Sequence, residues 1–153
     1  MDPTCSFLDR YRDHGLLLIR VGVGVLFMMH GWPKITGGVE TWEKVGGAIG
    51  VFGIGFAPVF WGFMAAFSEF FGGLLLAVGL FSRGAAFLLF CTMVTASTMH
   101  ITGGDGFERF SHPLKLVFVF GGLMLAGPGR FSIDAGLSKT LSSRSGPEPP
   151  QSV

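Results

Sequence analysis

The sequence predicts an all-α integral membrane protein, a four-helix bundle with a short interfacial amphipathic helix between helices one and two. Of its 153 residues, 49% are hydrophobic and 14% are charged, whereas about 25% of an ordinary soluble domain is charged. Residues 57–81 carry a single formal charge, at Glu69. Twenty-five helical residues, rising about 1.5 Å each, exceed the roughly 30 Å hydrocarbon core of a bilayer.

The first predicted span covers residues 15–32 and ends at Pro33. The connection that follows, residues 34–56, is rich in glycine and too polar and interrupted to span. Within it, apolar residues recur at helical spacing with charged residues between them. This pattern predicts an amphipathic helix on the membrane surface with Trp42 at the headgroup level. Its apolar positions are Val39, Trp42, Val45 and Ile49.

Two further spans follow the one that carries Glu69. The third, residues 84–101, has no formal charge and comes after a tight turn at 81–84. The fourth is the weakest, because its apolar core of residues 114–127 is short for a bilayer. Extending it back to Phe110, with Pro113 in the first helical turn, makes it long enough to cross.

The distribution of Lys and Arg predicts the orientation. The N-terminal segment, the 82–84 turn and the C-terminal region hold six of these residues, whereas the opposite loops hold three or four. Because cytoplasmic loops are enriched in Lys and Arg, both termini are predicted to be cytoplasmic. The predicted divisions are an N-terminal segment at 1–14, a membrane domain at 15–137 and a disordered tail at 138–153.

Glu69 is predicted to face the interior of the bundle. At about 100° per residue, small residues share its side of the helix, and bulky apolar residues occupy the other side. Small residues allow neighbouring backbones to approach closely, which favours a helix interface on that side. The residues on the Glu69 side are Gly62, Ala65, Ala66, Gly72 and Gly73.

Five ionisable residues fall within the predicted spans: Arg20, His30, Glu69, His100 and Lys115. Charges within a bilayer are costly and usually pair or line a functional cavity. Glu69, His30 and His100 are the candidate catalytic residues, and Arg20 and Lys115 are candidate ligand-binding residues and candidate partners of Glu69. Structural roles stay open for all five, since long cations can snorkel to the interface, His can bond a carbonyl and Glu69 can clamp the helices.

Other classes of site find little support in the sequence. A net charge of +1 without a basic run gives no indication of nucleic-acid binding. Cys5 and Cys91 stand far apart and lack zinc-site or disulfide spacing. We therefore predict no metal site.

The ordered motifs of the chain resemble those of the DoxX family of small bacterial membrane proteins. The resemblance covers residues 15–137, and it rests on the order and spacing of five short motifs rather than on one alone. These are Ile-Arg-Val-Gly at 19–22, His-Gly-Trp-Pro-Lys at 30–34, Glu-x-x-Gly-Gly-Leu-Leu-Leu at 69–76, Gly-Leu-Phe-Ser-Arg at 79–83 and Gly-Pro-Gly-Arg-Phe-Ser-Ile-Asp at 127–134.

This resemblance implies a multi-pass protein of the bacterial inner (plasma) membrane and a link to redox chemistry, since the family is named after a subunit of a thiosulfate:quinone oxidoreductase. Trp32, within the second motif, joins the candidate ligand-binding residues. The cofactor stays unknown, with a quinone as the candidate, and the candidate partners besides lipid are a redox subunit or a second copy of the chain. Residues 102–112 depart from the family's usual start of helix four, which leaves the substrate open. A transporter of protons or a small solute and a non-catalytic scaffold are the alternative functions.

Overall fold

The computed structural model describes residues 10–144, with side chains described for residues 10–141, and this part of the chain is helical without strands. A 3-10 turn, Gly47–Phe52, follows the second helix, and the third helix contains a π-helical segment, Ser68–Gly72. The helices are α1 Arg12–Thr36, α2 Gly38–Gly46, α3 Pro58–Val78, α4 Ser82–Thr102, α5 Phe107–Ala126 and α6 Ile133–Arg144.

The four long helices, α1, α3, α4 and α5, share one apolar core. An edge-to-face pair joins α1 to α5, with the ring centroids of Phe27 and Phe120 lying 5.0 Å apart. Packing of this kind stabilises the folded protein by roughly 0.5–1.5 kcal/mol beyond the stabilisation from burying the ring surfaces. The buried core residues are Phe27, Leu76, Ala85, Ala86, Leu89, Met93, Phe120 and Leu123.

Large apolar side chains also cover the outside of the helices. Leu18, Phe118 and Leu125 are 74%, 73% and 86% exposed, which is typical of a surface that faces lipid rather than water. By length and hydropathy, α1, α3 and α4 qualify as membrane-spanning helices among the described residues, whereas α5 does not. The structure thus confirms an all-helical membrane protein with several apolar spans.

Glycines bring α1 and α3 into backbone contact. A Cβ atom on Gly24 would lie 2.6 Å from the carbonyl oxygen of Gly73, and one on Gly31 would lie 2.5 Å from the backbone nitrogen of Phe70. Such distances leave no room for a side chain. Of the five small residues that the sequence placed on the Glu69 side of α3, Gly62, Ala66, Gly72 and Gly73 are therefore buried as predicted, whereas Ala65 is half-buried.

The sequence predicts that the first helix ends at Pro33, and this prediction is wrong. The helix continues to Thr36. A proline deprives a helix of one backbone hydrogen bond, and here that loss falls in the last turn, where few such bonds remain to be made. The carbonyl of Lys34 instead accepts a hydrogen bond from Trp42 Nε1 at 2.9 Å. Lys34 therefore belongs to α1 rather than to the connection.

Two other predicted boundaries also differ. The helix α5 begins at Phe107, so Pro113 is an interior residue and does not lie in the first turn. At the C-terminal end, residues 138–144 continue α6, although the sequence assigned 138–153 to a disordered tail. Residues 145–153 lie outside the described part of the chain. In the connection between α1 and α3, α2 carries Glu40 and Glu43 on its exposed side, while Trp42 is half-buried.

A comparison of two glycines in α1 tests the close contact with α3. We expect Gly24→Ala to lower the melting temperature of the detergent-purified protein, because overpacking costs about 1–3 kcal/mol. The control, Gly22→Ala, adds a methyl group where no atom lies within 4 Å apart from its chain neighbours and the backbone of its own helix. It should leave the melting temperature unchanged or raise it, since Ala favours a helix over Gly by up to ~1 kcal/mol. Equal effects of the two variants would contradict the contact.

Candidate ligand-binding site

The centre of the candidate site is an ion pair between α1 and α3. The Nζ atom of Lys34 lies 2.7 Å and 2.6 Å from the two carboxylate oxygens of Glu69. The Glu69 side chain is 4% exposed and that of Lys34 is 31% exposed. The carboxylate is thus held inside the protein with both oxygens facing one ammonium group, and the pair reaches the surface only on the lysine side.

This pairing corrects the sequence analysis, which considered Arg20 or Lys115 as the cation for Glu69. Gly31 explains why Lys34 can reach. Because Gly31 has no side chain, the backbone of α1 lies against that of Glu69 and Phe70. Residues three apart on a helix share a face, so Lys34 extends from the same side of α1 toward the carboxylate.

A π-helical segment, Ser68–Gly72, contains Glu69. Such segments insert one extra residue into a helical turn, are rare and occur frequently at functional sites. The hydrophobic pattern of this stretch gave no indication of it. Glu69 and Ser68 are consecutive residues of this segment, and both are 3% exposed.

A cavity of about 500 Å³ opens beside the ion pair. Its walls come from the end of α1, α2, the 3-10 turn, α3 and α4, and most of the lining is apolar. Its polar lining residues are Lys34, Lys44, Trp61, Ser68, Glu69, Thr92, Thr95 and His100. A largely apolar cavity with a few converging polar groups is the usual form of a site for a small organic molecule.

One donor in the cavity wall lacks a partner. The Nε1 atom of Trp61 is buried and makes no hydrogen bond with any described residue. Buried polar groups are nearly always hydrogen-bonded, so an unpaired one calls for an explanation. In contrast, the hydroxyls of Thr92 and Ser68 bond to each other at 3.1 Å, and Thr92 also donates to the Leu88 carbonyl.

His100, in the last turn of α4, also lines the cavity. Its Nδ1 atom lies 2.6 Å from Oδ2 of Asp105, and Nη1 of Arg109 lies 3.1 Å from the other oxygen of Asp105. The hydrogen bonds from His100 and Arg109 hold the pKa of Asp105 below its ordinary value. Asp105 was not among the residues selected from the sequence, because it lies in the loop between two predicted spans.

The structure does not bring four of the predicted site residues to the cavity. His30 is exposed, with Nδ1 3.3 Å from the carbonyl of Leu26. Lys115 is exposed on α5. Trp32 is 57% exposed and packs against the ring of Phe70. Of the six candidates, the structure thus places Glu69 and His100 in one cavity and adds Lys34 to them.

Arg20, the fourth residue outside the cavity, lies near the opposite end of α1, about 21 Å from Lys34 at 1.5 Å per residue. It is 1% exposed, so it does not snorkel. Its Nη2 donates to the carbonyl of Phe131. Arg20 therefore binds the segment that follows α5.

Asp134, in the same segment, caps the start of α4. Its carboxylate accepts hydrogen bonds from the backbone nitrogens of Phe81 and Ser82, at 2.8 and 2.9 Å, and from the Ser82 hydroxyl at 2.9 Å. Its own backbone nitrogen donates to the carbonyl of Gly79 at 2.9 Å. We call Arg20, Gly79, Ser82, Phe131 and Asp134 the C-terminal clamp. It joins α1, the α3–α4 turn and the start of α6.

The chain belongs to the DoxX family, which matches residues 15–101. It is 33% identical over 135 residues to a protein of Escherichia coli described as the inner membrane protein YqjF, an alignment that covers 86% of this chain and 98% of the relative. It is also 29% identical over 133 residues to an uncharacterized protein of Haemophilus influenzae, with 83% of this chain and 93% of the relative covered. No solved structure matches the chain.

We expect the C-terminal clamp to make the stability of the folded protein depend on pH. Burial raises the pKa of Asp134, but the hydrogen bonds from Ser82 and Phe81 outweigh it, so this pKa lies below its ordinary value. The clamp is therefore fully formed above the unfolded-state pKa of about 3.9 and weakens as the pH falls through the lower, folded-state pKa.

Asp134→Ala should lower the stability of the detergent-purified protein at neutral pH by about 0.5–2 kcal/mol, as the loss of a helix cap does. The difference from the unmodified protein should shrink when melting is repeated near pH 3. Glu108→Ala, which removes an exposed acid from α5, serves as the control. A difference that stays constant from neutral pH to pH 3 would argue against the ionised clamp.

Proposed function

We propose that this protein is an inner-membrane subunit of a quinone-linked redox system, with its ligand bound in the cavity beside Lys34 and Glu69. The observation that carries the proposal is the buried ion pair on the wall of a largely apolar cavity of about 500 Å³. An apolar wall suits a quinone ring and its tail, and the polar groups suit the ring oxygens. The inner-membrane location is supported by the apolar helices and by the described location of the E. coli relative.

The residues of the cavity fit such a molecule. The Lys34 ammonium lines the cavity and can donate to a ring oxygen. The Nε1–H of Trp61 is buried and unpaired in this structure, and it can donate to a second ring oxygen once the indole turns toward the cavity. A quinone supplies two-electron chemistry that is coupled to the uptake of two protons. Glu69 and His100 are the lining groups suited to hold or exchange a proton at that place.

Glu69 and His100 have different access to water. Glu69 is 3% exposed and tied to Lys34, so a change in its protonation disturbs an interior ion pair. His100 is more open, with a side chain 28% exposed. We therefore assign proton exchange with the surroundings to His100 and electrostatic stabilisation to Glu69. Among the described side chains, those of residues 10–141, no group of three or more His, Cys, Asp or Glu could hold a metal ion. We assign the electron donor to a partner redox subunit.

The alternative functions account for less of the geometry. A transporter needs polar groups along its path, yet the apolar core, including Phe27 and Phe120, lies between the cavity and the C-terminal clamp. A scaffold needs the ion pair only as a link between helices. It leaves the apolar cavity and the unpaired Trp61 nitrogen without a role.

Ligand-induced thermal stabilisation tests the proposal. A short-chain benzoquinone should raise the melting temperature of the purified protein in a saturable way, since a ligand that binds the folded state stabilises it. Lys34→Met should weaken this binding about ten-fold or more, as expected for a lost hydrogen bond to a charged group, and Trp61→Phe about three- to ten-fold.

Two matched controls accompany these variants. Lys115→Met removes an exposed lysine that does not line the cavity, and Trp32→Phe removes an exposed indole that does not line it either. Both should bind the benzoquinone as the unmodified protein does. If the benzoquinone gives no saturable stabilisation, or if all four variants bind it equally well, the quinone site is refuted.

We further propose that α1, α3, α4 and α5 all cross the membrane and that both termini are cytoplasmic. The excess of Lys and Arg near the termini and the α3–α4 turn supports this orientation. In a chain without its native cysteines, Glu43→Cys should react with a membrane-impermeant thiol reagent added outside. Lys139→Cys should react only after the membrane is opened. The reverse pattern would show the opposite orientation.

A further inference from the structure

The loop between α4 and α5 fixes the position of Asp105 beside His100. Gly104, with a φ of 72°, adopts a left-handed conformation that L side chains rarely adopt. The chain reverses there, and the backbone nitrogen of Asp105 donates to the carbonyl of His100 at 3.0 Å. The same two residues are also joined through their side chains at 2.6 Å. The backbone bond holds Asp105 beside His100, and the side-chain bond holds the imidazole ring at Nδ1.

The contacts of Asp105 also determine which ring nitrogen of His100 carries a proton. An ionised carboxylate only accepts hydrogen bonds, and the bonds from His100 and Arg109 favour the ionised form of Asp105. Nδ1 of His100 must therefore be the donor. In a neutral imidazole the other nitrogen, Nε2, is then an acceptor.

Nε2 is the ring atom left for the cavity. His100 lines the cavity but Asp105 does not, so Nδ1 is directed toward the loop. Among residues 10–141, whose side chains are described, no hydrogen bond joins Nε2 to another residue. The charged or titratable groups that share the cavity wall with His100 are Lys34, Lys44, Glu69 and Cys91, and Asp105 and Arg109 lie at the loop.

We propose that Asp105 is a positioning residue: it holds the proton of neutral His100 on Nδ1 and so presents Nε2 to the cavity as a hydrogen-bond acceptor. The ligand group that meets His100 is then a hydroxyl. This inference rests on the proposed quinone site and specifies it: the cavity binds the hydroxyl-bearing hydroquinone form more tightly than the quinone form. Trp61 also lines the cavity, and its buried Nε1–H has no partner among the described residues. Once turned toward the cavity, this donor suits a second oxygen on the same ring, since a hydroxyl oxygen also accepts.

The experiment compares the affinities of a short-chain benzoquinone and its hydroquinone for the purified protein. The hydroquinone should be measured under reducing conditions and should bind more tightly. Asp105→Ala should reduce the ratio of hydroquinone affinity to benzoquinone affinity about three- to ten-fold, which is the equivalent of one hydrogen bond. Asp105→Asn retains a carbonyl acceptor for Nδ1 and should preserve most of the ratio. Glu108→Ala, which removes a nearby exposed acid, should leave it unchanged.

A second measurement shows directly which ring nitrogen of His100 carries the proton. In the protein labelled with ¹⁵N-histidine, long-range ¹H–¹⁵N spectra should show His100, identified by His100→Gln, with its proton on Nδ1. Asp105→Ala should shift this tautomer and Glu108→Ala should not. An unshifted tautomer in Asp105→Ala overturns the positioning role, whatever the ligand does. A shifted tautomer with no binding of either ring compound supports the positioning role and refutes the quinone site instead. Binding of both forms with an unchanged ratio in Asp105→Ala overturns the preference for a hydroxyl.

Discussion

The ion pair between Lys34 and Glu69 is the interaction on which the rest of the site depends. A carboxylate that is 3% exposed among apolar helices is costly unless it is paired with a cation. The requirement for a cation explains the local architecture. Gly31 lets α1 approach the backbone of Glu69, α1 continues through Pro33 so that it carries Lys34, and Trp42 bonds to the end of that helix. Together these features place α2 beside the cavity.

The two ends of the bundle have different roles in this account. At one end, Asp134 accepts three hydrogen bonds from the α3–α4 turn and Arg20 donates to the carbonyl of Phe131, although Nε and Nη1 of Arg20 are buried without partners among the described residues. At the other end, polar groups line an open cavity, and Trp61 Nε1 has no partner within the described chain. A closed end fixes the helices, and the open end can then hold polar groups whose bonds are completed by a ligand. This division is what we expect if the bundle is a rigid support for a binding site.

Sequence reasoning correctly predicted the helical class, the inward face of α3 and the burial of Glu69, because these features follow from periodicity within a single helix. It also selected His100, which lines the cavity. It missed Lys34, because proline usually ends a helix and the residue after it was assigned to the connection. It missed Asp105 and Asp134 for a different reason. Asp105 reaches His100 through a glycine turn, and Asp134 caps a residue 52 positions away. Neither contact leaves a periodic pattern in the sequence.

A double-mutant cycle on Lys34 and Glu69 tests the central claim most directly. Lys34→Met leaves a buried carboxylate without its cation and should cost about 3–5 kcal/mol of stability, and combining it with Glu69→Gln should recover most of that loss. The exposed pair Lys44 and Glu40 provides the control, since the same cycle there should give a coupling of at most about 1 kcal/mol. Thermal melts of the detergent-purified variants report these differences. Losses at Lys34 and Glu69 that simply add would contradict the claim that the fold around the cavity depends on this ion pair.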